Sequence, residues 1–78
     1  MTNSRSTLPP LQVLVVEDES FVFWMIEAML EDLGCEVSAS AASVAEALHA
    51  VEAGGFDLAL LDVNLAGEKV FPVAEALQ

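Results

Sequence analysis

The spacing of hydrophobic positions changes repeatedly along the chain. Residues 1–10, MTNSRSTLPP, are polar and end in a double proline, and residues 11–16 then read LQVLVV. A short continuous run of Val and Leu is the pattern of a parallel strand buried on both faces. From Ser20 to Leu33 the apolar positions fall three and four apart. That spacing predicts a helix with Val22, Ile26, Met29, Leu30 and Leu33 on its core face and Gly34 as its stop. CEVSASA, from Cys35, predicts a short second strand. Ser43 followed by Glu46 forms a capping box. It opens a helix with Val44, Leu48 and Val51 on one face, ended by Gly54 and Gly55. FDLALLDV, residues 56–63, is a third strand of the buried type. A loop through Asn64 and Gly67 leads to a last helix from Val70 to Leu77, with Pro72 in its first turn.

The order β-α-β-α-β-α predicts an α/β fold with a parallel sheet. Right-handed crossovers are nearly obligatory in such sheets. With strand order 2-1-3, strands one and three lie side by side and their carboxyl ends meet at a topological switch point, where ligands of open α/β sheets bind. Residues 1–10 read as a disordered leader and residues 11–78 as one domain. Seventy-eight residues bury too small a core for comfort. A partner surface, a bound ion or the rest of a larger domain is therefore expected to contribute stability.

Three acids stand out by position. Glu17 and Asp18 follow directly on strand one, and Asp62 closes strand three. Their carboxylates should converge at the switch point, although 44 residues separate Asp18 from Asp62. Crowded carboxylates repel one another, and a cation relieves the repulsion. Hard oxygen ligands that leave room for water suit Mg²⁺. By spacing alone, the same acids fit a solvated rim at a strand end equally well. Asp57 lies at the other end of the strand, about 16 Å from Asp62, and is assigned to a turn or cap.

Charge and composition remove several classes. Thirteen acids oppose only Arg5 and Lys69, for a net charge of −11. Nucleic acid and anionic membrane surfaces need clustered Lys and Arg, so both are excluded as partners. Cations and basic protein surfaces are what this field attracts. The longest apolar run, Phe21–Ile26, is far short of the ~20 residues of a bilayer span. The N-terminus lacks the form of a signal peptide, and the chain reads as cytoplasmic. Cys35, the lone cysteine, excludes a disulfide scaffold and fits a reducing compartment. His49 reads as a surface residue of the second helix. Ser38, Ser40 and Ser43 have no adjacent base for nucleophilic catalysis. No glycine-rich loop follows strand one, which argues against a mononucleotide or flavin. Asp62-Val63-Asn64 is not the Asp-x-Asp of metal-dependent phosphatases.

VLVVEDE (13–19) and DLALLDVNLAGE (57–68) resemble the receiver domain of two-component response regulators. The shared pattern is an acidic pair after the first strand, an Asp after a buried third strand, and a Gly a few residues on. The resemblance covers residues 11–78 and implies a flavodoxin-like receiver fold, truncated to (βα)3 and lacking the last two strands and helices. It implies a phosphoacceptor module of a phosphorelay, not an enzyme. Asp62 would take a phosphoryl group from a histidine kinase or phosphotransfer protein. Asp18 resembles the direct Mg²⁺ ligand and Glu17 the acid that holds the ion through water; Asp62 and the backbone carbonyl of Asn64 complete the metal site. Receivers also carry a Ser or Thr ending a fourth strand and a Lys on a fifth. Lys69, after strand three, matches neither position. The alternative is a half-receiver that is not phosphorylated and acts as an interaction or dimerisation module. A homodimer is expected through the open edge of strand three and the first helix, where Phe21, Phe23 and Trp24 exceed what one core face needs.

Overall fold

The computed structural model describes residues 9–62, 64–65 and 68–78. Most of the proposed leader, Val63 of the proposed third strand, and Gly67 lie outside the described residues. Three strands, β1 (Leu11–Val16), β2 (Cys35–Ala41) and β3 (Leu58–Leu61), form a parallel sheet, as the alternation of elements predicts, in the order β2-β1-β3 expected of a receiver-like fold. Helix α1 (Ser20–Asp32) packs on one face; α2 (Val44–Ala53) and α3 (Phe71–Ala76) pack on the other. The expected loop after β3 instead contains two short antiparallel strands, β4 (Asn64–Leu65) and β5 (Glu68–Lys69).

The central strand β1 is covered on both sides, which explains its unbroken apolar run. Val13, Leu14, Val15 and Val16 are all 0–1% exposed. Alternation sends Val13 and Val15 into the α1 layer with Leu30, Phe23 and Ile26. Leu14 and Val16 enter the opposite layer with Ala41, Ala47, Val70 and Val73. In β2 a simple alternation would put Cys35, Val37, Ala39 and Ala41 on a single face. The register slips, because Val13 pairs with Val37 while Leu14 pairs with Ala39. Ser38 is thus the extra residue of a bulge. Cys35 and Val37 pack on the α1 side, whereas Ala39 and Ala41 join the α2–α3 core.

The helices end where their caps dictate. Gly34, at φ 83°, terminates α1. In α2 the Ser43 hydroxyl accepts from the Glu46 N–H at 3.1 Å, and the Glu46 carboxylate accepts from the Ala42 N–H at 2.8 Å. This is the capping box with its return bond moved one residue outward. Two expected core faces need correction. In α1, Phe23, Ile26 and Leu30 point inward, while Met29 and Leu33 are exposed. In α2, Ala47 is fully buried and Leu48 is exposed, because α3 packs close to α2 and leaves room only for small side chains there.

Candidate functional site

Backbone hydrogen bonds carry the sheet one residue past the strand ends. The Glu17 N–H donates to the Ala41 carbonyl at 2.9 Å, and the Asp62 N–H donates to the Val16 carbonyl at 3.0 Å. Val16 stands opposite Leu61 in the parallel ladder, so the next residues along, Glu17 and Asp62, are neighbours across it. Asp18 follows in the turn before α1. The Glu17 carboxylate accepts from the Glu19 N–H at 3.1 Å, which holds that side chain over the turn. One carboxylate oxygen from each of Glu17, Asp18 and Asp62 lies within 4.8 Å of the others. Glu17 and Asp62 are half-buried and Asp18 is exposed. The sequence expectation that these three acids converge is met.

The donor set fits Mg²⁺. At Mg–O distances of about 2.1 Å, ligands on opposite sides of an octahedron stand about 4.2 Å apart. Three oxygens within 4.8 Å therefore need only small side-chain rotations to share one ion. The exposed flank at Asp18 leaves room for water ligands. Asn64 opens β4 opposite Lys69, two residues beyond Asp62.

Asp57 serves a different purpose at the far end of the sheet. Its carboxylate accepts from the Gln12 N–H at 2.8 Å, and its own N–H donates to the Gln12 carbonyl at 2.7 Å. This two-way clip joins the entrances of β1 and β3, in line with the turn or cap role assigned from spacing. His49 is exposed on α2, also as expected.

Glu17 is shared by two shallow clefts of about 200 Å³ each. One is lined by Asp18, Trp24 and Glu46, the other by Ile26, Leu60 and Asp62. Glu46 was legible in the sequence only as a capping residue. Its place beside the acidic cluster follows from α2 starting just after the end of β2, which lies next to the end of β1.

Residues 13–78 match the family described as the response regulator receiver domain. The chain belongs to that family. Its solved relatives agree. The solution structure of SdrG from Sphingomonas melonis Fr1 is 49% identical, with a TM-score of 0.80 over 90% of this chain and 60% of that one. The receiver domain of the response regulator PhyR from Erythrobacter litoralis is 28% identical, also at TM-score 0.80, over 91% of this chain and 56% of that one. The sensor protein GacS of Pseudomonas syringae pv. syringae is 36% identical over 75 residues, covering 90% of this chain and 8% of its own length. The receiver described here thus spans about 60% of SdrG and a small part of GacS. Receiver domains are typically non-catalytic signalling modules that bind Mg²⁺ and interact with kinases and phosphotransfer proteins. They are usually cytoplasmic. Among the described residues no helix is long and apolar enough to cross a membrane.

Proposed function

We propose that this receiver is a cytoplasmic phosphoacceptor in a two-component phosphorelay and that Asp62 is the residue phosphorylated. The observation that carries the proposal is the meeting of Glu17, Asp18 and Asp62 at the carboxyl ends of β1 and β3. Asp18 would bind Mg²⁺ directly, Glu17 through water, with Asp62 and the Asn64 carbonyl completing the set. The ion's contribution is to screen the phosphoryl charge and orient its oxygens. An Asp62 carboxylate oxygen attacks the phosphorus of a phosphohistidine on a histidine kinase or phosphotransfer protein. The P–N bond breaks, and the imidazole leaves and takes up a proton from water. Asp62 suits this role because its backbone is pinned to β1 while its half-buried carboxylate faces an open cleft.

Incubation with Mg²⁺ and acetyl phosphate tests the proposal by intact mass. A phosphoryl adduct should form on the wild type and on Asp57→Asn and be missing from Asp62→Asn. A folded wild-type sample that takes up no phosphoryl group would refute it.

A second reading has its own support. β3 ends the sheet and pairs only with β1 among the described strands. A bare apolar strand edge favours pairing with another chain, as a half-receiver acting by dimerisation requires. Antiparallel pairing of two β3 edges about a two-fold axis would form a six-stranded sheet. Sedimentation equilibrium decides: a concentration-independent monomer mass excludes this dimer.

A further inference from the structure

The two short strands after β3 bring a cation back toward the acidic cluster. β4 and β5 run antiparallel with Asn64 opposite Lys69. Asn64 is two residues past Asp62, so their Cα atoms are at most about 7 Å apart. Partners across an antiparallel ladder stand about 5 Å apart. Lys69 therefore returns to within about 12 Å of Asp62, Cα to Cα. It is held from its other side as well. Val70, the next residue, is 4% exposed and packs in the core layer that contains Val16. The Val16 carbonyl in turn accepts from the Asp62 N–H, so the segment is tied to the end of β1 both where it leaves and where it returns. Lys69 itself is exposed. Its four-carbon stem carries the ammonium about 6 Å from its Cα, and a phosphorylated aspartate extends its outer oxygens about as far. Together they span the gap.

We infer that Lys69 tunes the site electrostatically, drawing an anionic phosphodonor toward Asp62 and weakening the site's hold on Mg²⁺. The inference rests on Asp62 being the phosphoacceptor. Charge carries it. Glu17, Asp18 and Asp62 bring three carboxylates together, and a divalent ion offsets only two of their charges. The loaded site therefore stays negative, within a chain of net charge −11, while the phosphodonor that must reach it is itself an anion. Arg5 and Lys69 are the two cations of the sequence, and the β4–β5 pairing brings the second of them to the acids. Its one positive charge offsets the charge that the ion leaves. The same charge repels Mg²⁺. Lys69 thus acts on the two ligands with opposite sign, which a loss of packing would not imitate. All the groups involved lie between Val16 and Val70.

The test has two arms on the whole chain. In the first, acetyl phosphate is added at saturating Mg²⁺ and the adduct is followed by intact mass. An Asp62 oxygen bonds to phosphorus, the bond from phosphorus to the acetate oxygen breaks, and acetate leaves with the electron pair. Lys69→Ala should slow uptake about two- to tenfold at low salt, and Lys69→Glu further. Lys69→Arg, which keeps the charge, should recover what Lys69→Ala loses. In the second arm, Mg²⁺ alone is titrated and read by the fluorescence of Trp24, which lines a cleft with Glu17 and Asp18. Here Lys69→Ala and Lys69→Glu should tighten binding, again by about two- to tenfold. Both effects should fade in 1 M KCl, where the Debye length is about 3 Å. Ala53→Glu makes the same change in net charge at the exposed far end of α2 and should move neither readout. Unchanged uptake in Lys69→Glu would overturn the inference, as would Mg²⁺ affinity that falls together with uptake, or equal effects at Ala53. A wild type that takes up no phosphoryl group refutes the Asp62 proposal instead. The Mg²⁺ arm still reads Lys69 in that case, and an affinity unmoved by Lys69→Glu would overturn the inference as well.

Discussion

At the residue scale, the two aspartates of β3 divide the labour between site and scaffold. Asp62 and Asp57 bracket the same strand, yet only Asp62 shares space with Glu17 and Asp18, while Asp57 holds the Gln12 N–H. Ligand binding confined to the folded state stabilises it by ~2.7 kcal/mol at a hundredfold excess over Kd. For a domain this small, that is roughly 10 °C or more in Tm. Saturating Mg²⁺ should therefore raise the wild-type melting temperature by about that amount, followed by circular dichroism. Asp18→Ala should abolish the increment. Asp57→Ala should keep it on a baseline lowered by about 1 kcal/mol, the worth of one hydrogen bond. An equal Mg²⁺ response in wild type and Asp18→Ala would show that the ion binds elsewhere. The positions of all three site acids were legible in the chain because each sits at a strand end. Glu46 was not, since its approach to them depends on packing.

At the element scale, α2 illustrates how local signals and packing divide the outcome. Its start is local: the Ser43–Glu46 exchange satisfies N–H groups that the first turn cannot pair internally. Ser43→Ala should cost about 1 kcal/mol in urea unfolding, with the site's Mg²⁺ response preserved. Its inward face is not local. Periodicity favoured Leu48, but the neighbouring α3 selects Ala47, which is fully buried. Ala47→Leu should overpack the α2–α3 interface and cost about 1–3 kcal/mol. Leu48→Ala, at a 37% exposed position, should stay within about 0.5 kcal/mol. The reverse ranking would mean that the helix is rotated from the orientation described here.

At the scale of the whole molecule, one strand carries most of the core. The four residues Val13–Val16 serve both layers, so a cavity in β1 is felt throughout a small, marginally stable domain. Leu14→Ala should cost about 2–5 kcal/mol, enough to populate the unfolded state at 25 °C. Saturating Mg²⁺ should recover part of that loss through mass action, seen as regained helical signal. No recovery in Leu14→Ala, with a normal response in the wild type, would place the ion's effect outside the folding equilibrium.

Element type and order along the chain were determined by the sequence, because strand and helix periods are local properties of a few neighbouring residues; the sheet order 2-1-3 came from the receiver motifs. The convergence of Glu17, Asp18 and Asp62 was determined too, once the receiver resemblance supplied the order 2-1-3, since that order sets the ends of β1 and β3 side by side. Tertiary structure alone decided which apolar residues became core. The Ser38 bulge redirects the second half of β2 to the opposite layer, and Met29 and Leu33 stay exposed because α1 leans toward β2. Apolar residues are interchangeable in a periodic pattern. Which of them is buried depends on the element that arrives to cover it, and that is set by contacts distant in the chain.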